Sequence, residues 1–163
     1  MKKFIGVFLA IILIISQSTL VFADKNGANL NLKCKSAVLM DVTSGKVLYE
    51  KNCHEKLPPA SVTKVMTMLL ICEAVESNKI KLTDEVTVSE TASSMGGSQI
   101  FLEPNETQTV DTLLKGIAVA SANDACVAMA EYIGGSIEGF VDMMNNKAKE
   151  LGMKDTNFVN TNG

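Results

Sequence analysis

Ser61 and Lys64 lie three residues apart, and the segment Ser121-Ala122-Asn123 follows about sixty residues later. A serine hydroxyl is a weak nucleophile that needs an adjacent base. Lys64 is the candidate base, because the only histidine, His54, lies in a predicted polar loop. Loss of hydration in a buried site makes the neutral amine of a lysine more available. The pattern therefore predicts nucleophilic chemistry with Ser61 as the nucleophile and Lys64 as the general base.

Ser61 and Lys64 alone leave an alternative open, in which the serine caps a helix and the lysine extends to solvent. A Ser-x-x-Lys spacing is also common by chance. The segment Ser121-Ala122-Asn123 favours the catalytic interpretation, because it falls at a break between two apolar helices. There Ser121 can relay a proton, while the amide of Asn123 can hold a substrate amide and orient Lys64. Helix capping is the alternative for this loop.

The elements that must position these residues follow from periodicity and turn signals. Helix 61–77 is apolar on most sides, which predicts a buried helix with Ser61 and Lys64 on one face at its N-terminal end. Its inner positions include Cys72, predicted to be buried like Cys126. The remaining predictions are two β-prone runs at 36–42 and 46–50 with a turn ending at Gly45, a strand or extended loop at 84–89, a loop at 93–99, and helices at 110–120 (N-cap Thr109, inner face including Ala118), 124–133 and 136–151 (N-cap Ser136).

Residues 1–23 have the pattern of a signal peptide: two lysines, an apolar stretch, and small residues before a cleavage site after Ala23. An uncleaved membrane anchor is the alternative, but the apolar stretch is short for a membrane-spanning helix. We therefore expect an exported protein whose single domain covers residues 24–163.

Composition limits the partners. The chain has a net charge of −3 and contains no arginine, so it lacks the basic surface and the guanidinium groups that nucleic-acid binding uses. Cys34 and Cys53 flank the predicted hairpin and can come close, but sequence does not give the connectivity of a disulfide. We predict no metal site and no cofactor.

Several segments together resemble one family. They are residues 36–51, Pro59-Ala60-Ser61-Val62-Thr63-Lys64, 110–116, Ala120-Ser121-Ala122-Asn123-Asp124-Ala125-Cys126, 128–131 and 158–163. In these the chain resembles the N-terminal part of the serine-type D-alanyl-D-alanine carboxypeptidases, which are low-molecular-mass penicillin-binding proteins. The resemblance implies an α+β fold of the β-lactamase/DD-peptidase type, in which an antiparallel sheet packs against a helical subdomain.

The resemblance also implies the reaction. Ser61 is expected to be acylated by peptidoglycan stem peptides ending in D-Ala-D-Ala and by β-lactams, with Lys64 as general base, Ser121 as proton relay and Asn123 as substrate-binding residue. The implied place of action is the extracytoplasmic face of the membrane or the cell wall.

The sequence departs from the family pattern after Asn123, because no Lys-Thr-Gly or His-Thr-Gly motif follows. The resemblance therefore implies an incomplete sheet without the family's C-terminal membrane-associating helix, and we expect residues 24–163 alone to be weakly folded and inactive. Two alternatives remain. A class A β-lactamase usually has Asp at the position of Ala122 and a deacylating Glu, which residues 152–163 lack. A non-catalytic peptidoglycan-binding protein of the same fold is the other.

Overall fold

The computed structural model describes residues 30–163, so the predicted signal peptide lies outside the described residues. The chain divides into two compact units, with the boundary between Glu55 and Lys56. None of the helices within residues 30–163 is both long enough and apolar enough to cross a membrane.

The first unit is a β-hairpin. Strand β1 (Ala37–Met40) pairs antiparallel with strand β2 (Val47–Lys51). The turn is closed by a backbone hydrogen bond from Asp41 to Lys46, and Gly45 has a φ of +68°. Glycine adopts such a φ without a steric penalty. The predicted hairpin and its glycine turn are confirmed.

The second unit combines helices with another two-stranded sheet. Along the chain its elements are a 3-10 helix (Ala60–Thr63), α1 (Lys64–Glu76), β3 (Glu85–Thr87), α2 (Glu90–Ser93), β4 (Thr107–Thr109), α3 (Val110–Ala120), α4 (Asn123–Gly134) and α5 (Ile137–Glu150). β3 and β4 are antiparallel, with Glu85 opposite Thr109. β3 was predicted as a strand or extended loop. β4 was not predicted, because a run of three polar residues carries no alternating apolar pattern.

Helix α4 lies at the centre of the second unit and contacts α1, α2, α3, α5 and β3. Its residues from Asp124 to Ala130 are all buried. Three of them, Ala125, Ala128 and Ala130, have small side chains that let neighbouring helices approach on several sides at once. The helix that follows the Ser121-Ala122-Asn123 segment is therefore the most enclosed element of the unit.

Helix α1 is buried on one face only, so the prediction of a fully buried helix is wrong. The buried side includes Leu70 and Ile71, whereas Val65 on the opposite side is 60% exposed. That side stays accessible in the described residues, because α3, α4 and α5 pack against the other side. Cys72 lies on the accessible side and is exposed, contrary to prediction, while Cys126 is buried as predicted.

The predicted N-caps at Thr109 and Ser136 are confirmed. The side chain of Thr109 accepts from the Thr112 amide at the start of α3, and the side chain of Ser136 does the same for Gly139 at the start of α5. The predicted inner position of Ala118 is wrong, since this residue is exposed near the end of α3. All four cysteines are free, so no Cys34–Cys53 disulfide is present.

Candidate active site

Ser61 lies in a tight turn that precedes α1. The 3-10 helix carries it, and Ala60 enters that helix with a φ of +48°, which is uncommon for a residue with a Cβ atom. Pro59 occupies the N-cap position and no side chain caps the helix. The alternative in which the Ser61 hydroxyl serves as a helix cap is therefore wrong. The hydroxyl is exposed at a strained turn, a setting typical of functional residues.

Lys64 points inward from the first turn of α1. Its side chain is buried, with the residue only 3% exposed, so the alternative in which it extends to solvent is wrong. Its Nζ lies 3.2 Å from the Ser61 Oγ, a distance that suits a nucleophile and its base. No carboxylate within residues 30–163 lies at ion-pair distance from this Nζ. The amine is thus directed at the hydroxyl rather than held by an acid.

The second partner of Lys64 is a backbone carbonyl that the sequence did not reveal. Asn162 O accepts from Lys64 Nζ at 3.0 Å. Thr161, the residue before it, is 1% exposed, and its carbonyl accepts from the Thr67 hydroxyl at 2.6 Å. The cluster Asn160-Thr161-Asn162-Gly163 has the composition of a turn. That signal predicts the turn but not its contact with α1.

The Ser121-Ala122-Asn123 segment forms the predicted break between two helices, α3 and α4. Ser121 closes α3 in the left-handed region, with φ +55° and ψ +38°. Asn123 begins α4, and its Nδ2 donates to Gly96 O at 2.7 Å, while its backbone N donates to Ser98 O at 2.8 Å. The segment therefore holds the 96–98 loop. In the described structure the Asn123 amide contacts that loop, and its expected contact with Lys64 stays a prediction.

Asp124 holds the residues that continue this loop to Leu102, a role that the sequence did not reveal. Its carboxylate is fully buried and accepts from the backbone amides of Ile100 and Leu102, each at 3.1 Å. Phe101, between these two amides, has a φ of +60°. A phenylalanine in this region is strained, and the two hydrogen bonds hold it there. The carboxylate thus fixes the loop that Asn123 contacts.

Cys126 on α4 is a second potential nucleophile near Lys64. Burial raises the pKa of its thiol to about 12, the charge of Lys64 opposes this shift, and Asp124 adds to it. A thiol with this pKa is almost wholly protonated at neutral pH. Ser61, which has a base beside it, is therefore the better nucleophile.

One group of potential metal ligands lies in the hairpin unit. Ligand atoms of Glu50, Cys53 and His54 all lie within 4.8 Å of one another. Burial and a hydrogen bond to Glu50 raise the pKa of the Cys53 thiol, and Glu50 and His54 are exposed side chains of a kind that commonly lie together without an ion. We therefore assign no metal to these residues.

Comparison with known proteins gives the relatives of this chain. A family model for D-alanyl-D-alanine carboxypeptidases, peptidase family S11, matches residues 23–163. The chain is 55% identical to the D-alanyl-D-alanine carboxypeptidase DacF of Bacillus subtilis, over all of this chain and 43% of that protein. It is 44% identical to DacC of Escherichia coli over 82% of this chain and 35% of that protein. The chain therefore spans less than half the length of these relatives.

Solved structures agree. The D-alanyl-D-alanine carboxypeptidase DacD from Francisella tularensis superposes with a TM-score of 0.81 and 37% identity, covering 84% of this chain and 33% of that one. Penicillin-binding protein D2 from Listeria monocytogenes, in its ampicillin-bound form, gives a TM-score of 0.73 and 31% identity over 83% of this chain and 54% of that one. These similarities confirm the predicted α+β fold of the DD-peptidase type. The chain belongs to the D-alanyl-D-alanine carboxypeptidase family, peptidase family S11.

Proposed function

We propose that this protein is a serine DD-carboxypeptidase that removes the terminal D-Ala from peptidoglycan stem peptides. The observation that carries the proposal is the buried amine of Lys64, held 3.2 Å from the exposed hydroxyl of Ser61. Peptide hydrolysis by serine requires such a pair, because an isolated hydroxyl reacts too slowly. The names of the relatives supply the substrate class.

In the first step, Ser61 Oγ attacks the carbonyl carbon of the penultimate D-Ala while its proton passes to Lys64 Nζ. The amide C–N bond then breaks, and the proton reaches the nitrogen of the leaving D-Ala through Ser121. The backbone N–H of Ser61 donates to the developing oxyanion, and the positive end of the short helix favours the same charge. The products of this step are free D-Ala and an ester on Ser61.

In the second step, a water molecule attacks the ester carbonyl. Lys64 accepts a proton from the water, the ester bond to Ser61 Oγ breaks, and the proton returns to that oxygen. Asn123 holds the peptide amide of the substrate throughout, from its position at the start of α4. A β-lactam follows only the first step at a useful rate, because its opened ring stays attached and no leaving group departs.

The place of action follows from the substrate. Peptidoglycan lies outside the cytoplasmic membrane, so the protein must be exported, and residues 1–23 supply the expected signal peptide. Cleavage after Ala23 would be seen directly as a mature N-terminus at Asp24 in the mass of the secreted protein.

The test is acylation of the full-length gene product by a fluorescent penicillin, together with release of D-Ala from a peptide ending in D-Ala-D-Ala. Ser61→Ala removes the nucleophile, and we expect both signals to fall by at least about a thousandfold. Ser77→Ala is the matched control, because it removes a hydroxyl from the C-cap of α1, at the end of that helix far from Ser61.

The outcomes separate the alternatives. A stable penicillin adduct with D-Ala release supports the carboxypeptidase, whereas rapid penicillin turnover without D-Ala release indicates a β-lactamase. Binding of peptidoglycan that Ser61→Ala leaves unchanged, with no acylation of the wild type, indicates a non-catalytic binding protein. Either of the last two results contradicts the proposal.

A further inference from the structure

We propose that Thr67 is a positioning residue for the general base, an inference that rests on the proposed function. Thr67 lies on α1 three residues after Lys64, so the two side chains share one face of the helix. Two consecutive carbonyls of the turn at 160–163 accept hydrogen bonds from these two side chains. Thr67 thereby holds the peptide whose next carbonyl orients the Lys64 amine.

The hydrogen bond of Thr67 is short and enclosed. Its hydroxyl donates to Thr161 O at 2.6 Å, and the two residues are 0% and 1% exposed. A threonine hydroxyl inside a helix commonly bonds to a carbonyl of its own preceding turn. The Thr67 hydroxyl instead donates to a residue 94 positions away in sequence. A buried hydroxyl in an otherwise apolar stretch is costly unless it is paired, so its presence here points to this one contact.

The turn is anchored on both sides of Thr161. Asn145 on α5 binds both backbone groups of Phe158, donating to its O at 2.9 Å and accepting from its N at 2.8 Å. Asn160 Oδ1 accepts from the backbone amides of Asn162 and Gly163. These contacts shape the turn itself, but none of them reaches α1.

Within residues 30–163, the hydrogen bonds between the turn and α1 are therefore made by Thr67 and Lys64. Without the Thr67 hydroxyl, the carbonyl of Thr161 is left buried without a donor, which is unfavourable for a polar group. The turn relieves that cost if it moves away from α1 toward water. Such a movement withdraws the Asn162 carbonyl from the Lys64 amine and loosens the geometry at Ser61.

Thr67→Val tests this inference, because it keeps the shape of the side chain and removes the donor. In the full-length protein we expect the rate of acylation by penicillin to fall about tenfold or more. We also expect a sulfosuccinimidyl acetate probe to modify Lys64 about tenfold faster, measured by mass spectrometry. Thr67→Ser keeps the hydroxyl and loses only a methyl group, so both rates should stay within about threefold of wild type.

Ile71→Val is the matched control. It lies one turn further along the buried side of α1, is 0% exposed, and loses stability by losing a methyl group without removing a hydrogen bond. Equal effects of Thr67→Val and Ile71→Val on acylation and on Lys64 modification would show that Thr67 only fills the core. A Thr67→Ser variant whose acylation is about tenfold slower than that of the wild type would also overturn the inference. This outcome can be measured even if Thr67→Val fails to fold.

The Lys64 modification rate is independent of activity. If the wild type shows no acylation but Thr67→Val still exposes Lys64, the proposed function fails and the contact between the turn and α1 stands. If the wild type is acylated and Lys64 modification is the same in both proteins, the positioning inference fails and the proposed function stands.

Discussion

Asp124→Ala is the substitution that most directly tests how the 96–102 loop is held. The Asp124 carboxylate is fully buried and accepts from the backbone amides of Ile100 and Leu102. None of the buried side-chain nitrogen or oxygen atoms in residues 30–163 lacks a hydrogen-bond partner. Removing this carboxylate therefore takes the acceptor away from three backbone amides, those of Ile100, Leu102 and Ala125.

The expected loss is worked out from the two hydrogen bonds that the loop donates to Asp124, from Ile100 and Leu102. A hydrogen bond to a charged acceptor contributes about 1.5–3 kcal/mol, so two of them give about 3–6 kcal/mol. Phe101 relaxes from its φ of +60° once the loop is released, which returns about 1 kcal/mol. Water that reaches the freed amides offsets a further part. We expect Asp124→Ala to lower the free energy of unfolding by about 3 kcal/mol.

Equilibrium unfolding in urea measures this loss, with Asp142→Ala as the control. Asp142 is an exposed acid on α5, and we expect its replacement to change the free energy of unfolding by less than about 0.5 kcal/mol. Asp124→Ala should also slow acylation by penicillin, because the loop carries the Gly96 carbonyl that Asn123 contacts. A loss below about 1 kcal/mol for Asp124→Ala would refute the reasoning, since it would mean that the loop is held by other contacts.

Two further predictions concern single positions in the second unit. In the folded state the Cys126 thiol keeps its proton up to about pH 12, whereas an unperturbed thiol has a pKa of 9.0. The contribution of this difference to the free energy of unfolding is therefore complete below pH 9 and is lost as the pH rises from 9 toward 12. Wild type should therefore lose about 1.3 kcal/mol more of its unfolding free energy than Cys126→Ala between pH 8 and pH 10, and equal losses would contradict the assigned burial. Gly134→Ala places a Cβ 2.6 Å from a backbone nitrogen at the start of α5, whereas a Cβ at Gly96 has nothing within 4 Å. We expect Gly134→Ala to cost about 2 kcal/mol in a urea titration and Gly96→Ala almost nothing, and similar values for the two would contradict the close helix packing.

Local signals in the sequence predicted most of the helices and strands, and where the two motifs lie among them. The caps at Thr109 and Ser136 act through residues three positions away, and the hairpin turn depends on Gly45, so each signal and its effect lie in the same short segment. The exposed side of α1 could not be predicted in this way. A helix that is apolar on most sides carries no record of which side its neighbours cover.

The sequence predicted the part of the candidate site that depends on side-chain type. Ser61 and Lys64 are brought together by helical spacing alone, and the structure places them within hydrogen-bond distance. The Asn162 carbonyl lies 98 positions from Lys64 in sequence. Every residue has a backbone carbonyl group, so no residue type in the sequence indicates this contact. Only the path of the chain decides which carbonyl meets the amine.

This difference decides which positions of the site are constrained by side-chain identity. Asn162 contributes its carbonyl to Lys64, so a different side chain at that position leaves the contact available. Gly97 is the opposite case, because it has a φ of +84° and a Cβ there would lie 2.8 Å from the Asn123 amide nitrogen. Any larger residue at Gly97 must displace the side chain that we propose binds substrate. The geometry of the site therefore depends on a residue without a side chain as well as on the residues that carry out the chemistry.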